Sequence, residues 1–131
     1  MFGETRIGAV VFIVRDIQRS LAFYRDSLGL DVALQPGTGG TGEGAQDWAM
    51  GQTAGGVALV FFQGEPRPGP SPVIVFALDS GGIDGVVASL AQKGVQMVTP
   101  VSHAPDGGWT ADFQDPDGHI LSMYQEGKLA R

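Results

Sequence analysis

The chain has 131 residues, of which 43% are hydrophobic, and this is enough for one domain with a hydrophobic core. Cysteine is absent, which excludes a disulfide scaffold, a Cys-ligated zinc site and a thiol nucleophile. The net charge of −6 and the lack of any basic block argue against nucleic acid as a partner. The N-terminus has no signal-peptide pattern, and the longest apolar run, residues 9–14, is too short to span a bilayer. We therefore expect a cytoplasmic protein with neither a nucleic-acid nor a membrane partner.

The first half of the chain predicts one strand, one helix and three further strands. Residues 7–14 are apolar and β-branched, which is typical of a buried strand. Asp16 is a predicted N-cap, and apolar residues follow it at helical spacing until Gly29, where the helix should end. Strands are then predicted over residues 30–35, 46–50 and 57–63. Residues 36–44 contain a GxGxxG pattern, but no helical pattern follows it, so we predict a flexible loop at the rim of a site and not a dinucleotide site.

The second half repeats this order after a proline-rich connector at residues 65–72. A buried strand is predicted over 73–78, and Asp79 or Ser80 is the predicted N-cap of a second helix that ends at Gly94. Strands at 95–103, 109–113 and 118–124 complete the pattern. We interpret the chain as a single α+β domain, residues 1–131, made of two βαβββ modules at about 5–64 and 73–126.

Two segments resemble a known family. Residues 115–118, DPDG, have the Asp, Pro and Gly that a type I turn prefers, and they close a hairpin near the C-terminus. Residues 14–30, VRDIQRSLAFYRDSLGL, and residues 113–119, FQDPDGH, resemble the opening and closing motifs of the vicinal oxygen chelate superfamily. That superfamily includes glyoxalase I, the extradiol dioxygenases and the bleomycin resistance proteins. The resemblance spans nearly the whole chain and implies curled mixed sheets around a cleft, helices on the outside, and a homodimer.

The same resemblance implies four inner positions for metal ligands. In this chain they correspond to Ala9, the region of Leu59, the region of Val73, and Ser122. Divalent metals in such sites take imidazole, carboxylate or thiolate donors, whereas three of these four side chains are hydrocarbons. Neither His103 nor His119 falls at one of these positions. We therefore expect no metal and no cofactor.

Strand alternation predicts an inner face that is apolar with polar and aromatic exceptions. Its predicted members are Val11, Val57, Leu59, Phe61, Val73, Val75 and Ile120, together with Gln63, Ser122 and Tyr124. The pattern does not determine the facing of Trp48, Trp109, Thr110 and Asp112. These side chains either fill the space between two sheets or line a site for a flat ligand. The ligand-binding candidates are Trp48, Leu59, Phe61, Gln63, Trp109, Asp112, Ser122 and Tyr124.

Two hypotheses of function follow. The first is a metal-free protein that resembles the bleomycin resistance branch and sequesters an aromatic or cationic small molecule without chemistry. The second is an enzyme of the same superfamily, lyase, isomerase or dioxygenase-like, that is metal-independent or uses a metal carried by its substrate. No catalytic residue is identified for it, and the polar groups to test are Ser122, Tyr124, His103 and Asp112. Glyoxalase and extradiol dioxygenase activities are not expected.

Overall fold

The computed structural model describes residues 1–36 and 47–131, so the predicted glycine-rich loop from residue 37 onward lies outside the described residues. The chain divides into two compact units, Met1–Arg67 and Pro68–Arg131. Each unit contains a βαβββ module with a four-stranded mixed sheet, and the predicted α+β fold of two such modules is confirmed. Neither helix of the described residues has the length and apolar composition needed to cross a membrane.

Module one, in the first unit, consists of β1 Ala9–Val14, α1 Ile17–Leu21, which continues as a π-helical turn over Ala22–Ser27, β2 Val32–Gln35, β3 Trp48–Gln52 and β4 Ala58–Gln63. Its sheet has the strand order β1-β4-β3-β2. β4 runs parallel to β1 and antiparallel to β3. The predicted helix cap is confirmed, because Asp16 Oδ1 accepts hydrogen bonds from the amides of Gln18 and Arg19 at 3.0 and 3.3 Å.

The core of module one lies between its helix and one face of its sheet. The rings of Phe12 and Phe61 stack at 5.2 Å between centroids, and Tyr24 from the π-helical turn lies 4.6 Å from Phe61. All three side chains are buried. Among the described residues of module one, the helix packs against this face of the sheet, and the opposite face has no helix of the same module against it.

Module two, in the second unit, consists of β5 Ile74–Ala77, α2 Ile83–Gln92, β6 Gln96–His103, β7 Trp109–Gln114 and β8 Ile120–Gln125. It repeats the arrangement of module one, with the strand order β5-β8-β7-β6. β8 runs parallel to β5 and antiparallel to β7. Leu121 and Met123 of β8 are buried, as are Ile83 and Leu90 of the helix.

The start of α2 differs from the prediction. The N-cap is Gly82, and both Gly81 and Gly82 have positive φ, at 77° and 82°, a conformation that favours glycine. These two residues carry the chain past Asp79 and Ser80 before the helix begins, so neither is the cap. The amide of Ile83 instead donates to the side-chain Oε1 of a distant residue, Gln125, at 2.8 Å.

Candidate functional site

The helix-free face of module one, which we call the apolar face, is mostly hydrophobic. None of its described residues is charged, and Val11 and Phe62 are 54% and 43% exposed. The rings of Trp48 and Phe62 lie side by side, with centroids 5.9 Å apart. Exposed apolar surfaces of this kind are typical of ligand and partner sites, so this face is one candidate site. From the strand pairing, its members are Ala9, Val11, Ile13, Ala33, Gln35, Trp48, Met50, Gln52, Ala58, Val60 and Phe62.

The predicted facing of Leu59, Phe61 and Gln63 is wrong. Strand β4 has apolar residues at both its odd and its even positions, so the alternation of side chains could not show which of its faces lies in the core. Parallel pairing places Phe61 beside Phe12 in the core under the helix, where Phe61 is only 1% exposed, and buries Leu59 on the same side. Gln63 Oε1 accepts a hydrogen bond from the amide of Ile17 at 3.2 Å, at the start of α1. On the apolar face, β4 instead contributes Val60, which is half-buried, and Phe62, which is exposed, and the sequence prediction missed both.

The helix-free face of module two, which we call the polar face, has a different character. Ser122 lies beside Val75 on one side and Asp112 on the other, and Thr99 follows Asp112 across the sheet. The sequence prediction placed Ser122 and Tyr124 on this side, and the structure adds Asp112 and Thr110, whose facing the sequence left open. From the strand pairing, its members are Val75, Ala77, Gln96, Thr99, Ser102, Thr110, Asp112, Gln114, Ile120, Ser122 and Tyr124.

Trp109 belongs to the opposite side of this sheet. It pairs with His103 and Gln125, and its ring stacks on that of His103 with centroids 3.7 Å apart. The guanidinium carbon of Arg131 lies 4.2 Å from the centre of the Trp109 ring, a cation–π contact. Of the eight candidate residues, the structure therefore brings Asp112, Ser122 and Tyr124 together, places Trp48 on the apolar face, and separates Trp109 from both faces.

Tyr124 is held by a carboxylate that the sequence prediction missed. Its hydroxyl donates to Asp106 Oδ2 at 2.6 Å, and the Gly108 amide donates to Asp106 Oδ1 at 2.9 Å. A Cβ atom at Gly108 would meet the Tyr124 ring at 2.5 Å, so glycine is needed for the ring to lie there. The hydrogen bond lowers the pKa of Asp106 and raises the pKa of Tyr124. Tyr124 is therefore a protonated, fixed group.

Within the part of the chain that the structure describes, Ser122 bonds through its hydroxyl only to backbone carbonyl oxygens and to no base. Its side chain is buried, and its hydroxyl donates to the backbone carbonyl oxygen of Ala111 at 3.3 Å. A carbonyl oxygen cannot take the proton that a serine nucleophile must lose. Ser122 is thus suited to a hydrogen bond with a ligand and not to nucleophilic attack.

The four positions at which the family resemblance implies metal ligands do not fit a metal. Ala9 lies on the apolar face, and because Leu59 faces the core, the neighbouring positions of β4 that share this face are Ala58 and Val60. Val73 lies directly before β5, and Ser122 is the fourth position. Alkyl groups and a neutral hydroxyl cannot replace the hydration shell of a divalent ion.

One group of potential donors occurs elsewhere in the described residues, in the turn between β7 and β8. Donor atoms of Asp115, Asp117 and His119 lie within 4.8 Å of one another. However, Asp115 Oδ1 accepts from the amides of Asp117 and His119, both at 2.9 Å, and the His119 ring Nδ1 lies 2.8 Å from Asp115 Oδ2. The Gly118 amide also donates to the Asp115 carbonyl at 3.1 Å. These bonds confirm the predicted turn roles and account for the cluster without an ion.

Comparison with known proteins gives one family. The family model described as Glyoxalase/Bleomycin resistance protein/Dioxygenase superfamily matches residues 6–123. No curated protein is significantly similar in sequence.

Several solved structures have the same fold. That of TnmS3, an antibiotic binding protein from Streptomyces sp. CB03234, has a TM-score of 0.72 at 27% identity and covers 93% of this chain and 96% of that chain. A superfamily member from Sphaerobacter thermophilus DSM 20745 has a TM-score of 0.72 at 20% identity, with 93% and 98% covered. Lactoylglutathione lyase from Agrobacterium tumefaciens has a TM-score of 0.68 at 16% identity, with 92% and 93% covered.

Proposed function

The chain belongs to the Glyoxalase/Bleomycin resistance protein/Dioxygenase superfamily, and on that premise we propose that it is a small-molecule binding protein that works without a protein-bound metal. Its ligand is aromatic or cationic and binds on a helix-free sheet face, either the apolar face of module one or the polar face of module two. The observation that carries the proposal is the apolar face, because an uncharged surface with a Trp48–Phe62 pair at 5.9 Å suits a flat hydrophobic ligand.

The residues of the polar face support the proposal that the ligand can be a cation. Asp112 is half-buried there, and the hydroxyl-bearing residues Ser122 and Thr99 lie on either side of it in the sheet. A carboxylate beside hydroxyl groups can accept hydrogen bonds from an ammonium or amidine group. The net charge of −6 also favours the approach of a cation.

The donor chemistry and one relative give further support. Alkyl side chains at three of the four implied metal positions make a protein-bound catalytic metal unsuitable. The structure of TnmS3, at 27% identity, is that of an antibiotic binding protein. A role in binding without chemistry is therefore consistent with both the residues and a relative of the same fold.

Fluorescence titration tests the proposal. The Trp109→Phe variant leaves Trp48 as the one tryptophan, because the chain has only two. Planar aromatic dyes and antibiotics, cationic and neutral, should quench its emission in a saturable way. The Trp48→Phe variant, whose remaining tryptophan lies off the apolar face, should not respond. If no compound of a broad panel gives saturable quenching, the proposal fails.

The alternative is an enzyme of the superfamily, metal-independent or dependent on a metal that the substrate brings. The observation that favours it is the placement of Asp112 beside Ser122 on one face. Mass spectrometry of a bound compound after incubation separates the two functions. Unchanged compound supports sequestration, whereas a new mass that forms with the native protein and not with Asp112→Asn supports catalysis.

A further inference from the structure

A pocket of about 350 Å³ opens in module two where β5 and β8 end. Its walls come from residues at the ends of these strands and from the segment after β8. The volume falls at the small end of the range of roughly 300 to 1,000 Å³ that is usual for small-molecule sites. Its lining residues are Ala77, Leu78, Asp79, Tyr124, Gln125, Glu126, Lys128 and Leu129.

The walls of this pocket are fixed by hydrogen bonds. The Leu78 amide donates to the Tyr124 carbonyl at 2.8 Å, which joins the ends of the two strands. Gln125 Nε2 donates to the Leu129 carbonyl at 3.0 Å, which holds the segment after β8 in place. Asp106 fixes the Tyr124 ring through the 2.6 Å hydrogen bond described above. A site whose walls are ordered in advance loses less entropy when it binds a ligand.

The pocket is lined by both apolar and charged side chains. Ala77, Leu78 and Leu129 contribute hydrocarbon, and Tyr124 contributes an aromatic ring. The charged groups are two carboxylates and one ammonium, and the ammonium of Lys128 already pairs with Glu126 at 3.1 Å. The carboxylate of Asp79 is thus the group that gives the pocket its net negative charge.

We propose that this pocket is a binding site for a small organic cation with an apolar body, such as an arylalkyl amine. The ammonium group lies between the carboxylates of Asp79 and Glu126, and the apolar body contacts Leu129 and the Tyr124 ring. Apolar walls favour the body through removal of its surface from water, and the aromatic ring attracts a nearby cation. This site is distinct from the faces named in the proposed function, because it lies where β5 and β8 end and takes only Ala77 and Tyr124 from the polar face.

Three probes with one carbon skeleton test the proposal: 4-phenylbutylamine, 4-phenylbutan-1-ol and 4-phenylbutyrate. Each is titrated into ¹⁵N-labelled protein, and the amide resonances of every assigned residue are followed. The amine should bind with a Kd of roughly millimolar or tighter and should shift the amides of Leu78, Asp79, Glu126 and Leu129. The alcohol should bind more weakly, and the carboxylate should bind least.

Variants that neutralise one charge at a time test which carboxylates bind the ammonium group of the amine. Asp79→Asn should weaken amine binding about threefold to fivefold, because a partly exposed ion pair is lost. Glu126→Gln should weaken it at least as much, because it also frees Lys128. Asp31→Asn, which removes the same charge from an exposed position of module one, should leave the Kd unchanged. Equal Kd values for the amine and the alcohol, or amine-induced shifts confined to residues that do not line the pocket, would overturn the proposal. Shifts confined to Val11, Val60 and Phe62 would support the apolar face alone and would also overturn it.

Discussion

The side chain of Gln125 accepts a hydrogen bond from the backbone amide of Ile83 at 2.8 Å, and Gln125 is only 1% exposed. Gln63 makes the equivalent bond to the amide of Ile17 in module one, at 3.2 Å. In each module, a glutamine at the last position of the fourth strand therefore satisfies the first amide of the helix. This shared contact shows how closely the two modules correspond in their construction.

Removal of this acceptor should destabilise module two more than module one. We expect Gln125→Met to lower the free energy of unfolding by about 1–3 kcal/mol, because it leaves the buried Ile83 amide without its partner. Gln63→Met should cost less, because Gln63 is exposed and water can replace it. Chemical denaturation of the two variants and the native protein measures both changes. An equal decrease in the free energy of unfolding of the two variants would contradict the role assigned to Gln125.

Phe61 and Phe62 are neighbours in sequence with opposite expected effects. Phe61→Ala should lower the free energy of unfolding by about 3–5 kcal/mol, because it removes a buried ring from the core of module one. Phe62→Ala should change stability little but should weaken the binding of aromatic ligands, because Phe62 lies beside Trp48 on the apolar face. Denaturation and Trp48 quenching together test the pair. If Phe61→Ala keeps its stability but loses ligand binding, while Phe62→Ala binds normally, then the assignment of Phe61 to the core and of Phe62 to the apolar face is refuted.

The sequence predicts an element well where the determining residues are local. Asp16 stands directly before a helical pattern, and its capping role is confirmed. The start of α2 depends instead on the positive φ of Gly82 and on Gln125, which lies 42 residues from Ile83, so no local pattern could reveal it.

The face on which a strand residue lies is likewise predictable only where the local sequence determines it. In β8, Leu121 and Met123 alternate with Ser122 and Tyr124, and the predicted facing agrees with the structure. In β4, both parities are apolar, and only the long-range pairing with β1 decides that Phe61 is in the core. The Asp106–Tyr124 contact joins a turn to a strand and likewise has no signature in the local sequence.

The Asp106–Tyr124 hydrogen bond should make stability depend on pH at both ends of the range. The folded-state pKa of Asp106 is below its ordinary 3.8, so its contribution is present above that pH and is lost as pH falls through the lowered value. The folded-state pKa of Tyr124 is above 10.0, so its contribution is present below pH 10.0 and is lost as pH rises through the raised value.

NMR titration of ¹³C-labelled tyrosine measures this coupling directly. The Tyr124 phenol should titrate above 10.0 in the native protein, and its pKa should move back toward 10.0 in Asp106→Asn, because the acceptor charge is removed. The chain has only one other tyrosine, Tyr24, whose resonance should not respond to this substitution. An unchanged Tyr124 pKa in Asp106→Asn would exclude the coupling.

We expect the protein to be a homodimer. β1 and β5 are edge strands of their sheets, and Val11 and Val75 on them are each 54% exposed. Exposed apolar edges are commonly covered by a partner. Light scattering after gel filtration should give twice the chain mass of 13.7 kDa, and Val75→Lys should shift the protein toward the monomer. The mass of a single chain for the native protein at micromolar concentration would refute the expectation.

The central claim is that the protein binds a small molecule without a metal of its own, and one measurement tests it most directly. The Trp109→Phe protein is dialysed against chelator, and the best aromatic ligand of the panel is titrated by Trp48 emission before and after addition of zinc, nickel, manganese or iron. Elemental analysis of the same samples gives the metal content per chain. We predict saturable binding with the same Kd in every sample and no stoichiometric metal. One metal retained per chain through dialysis, with ligand binding that depends on it, would contradict the account.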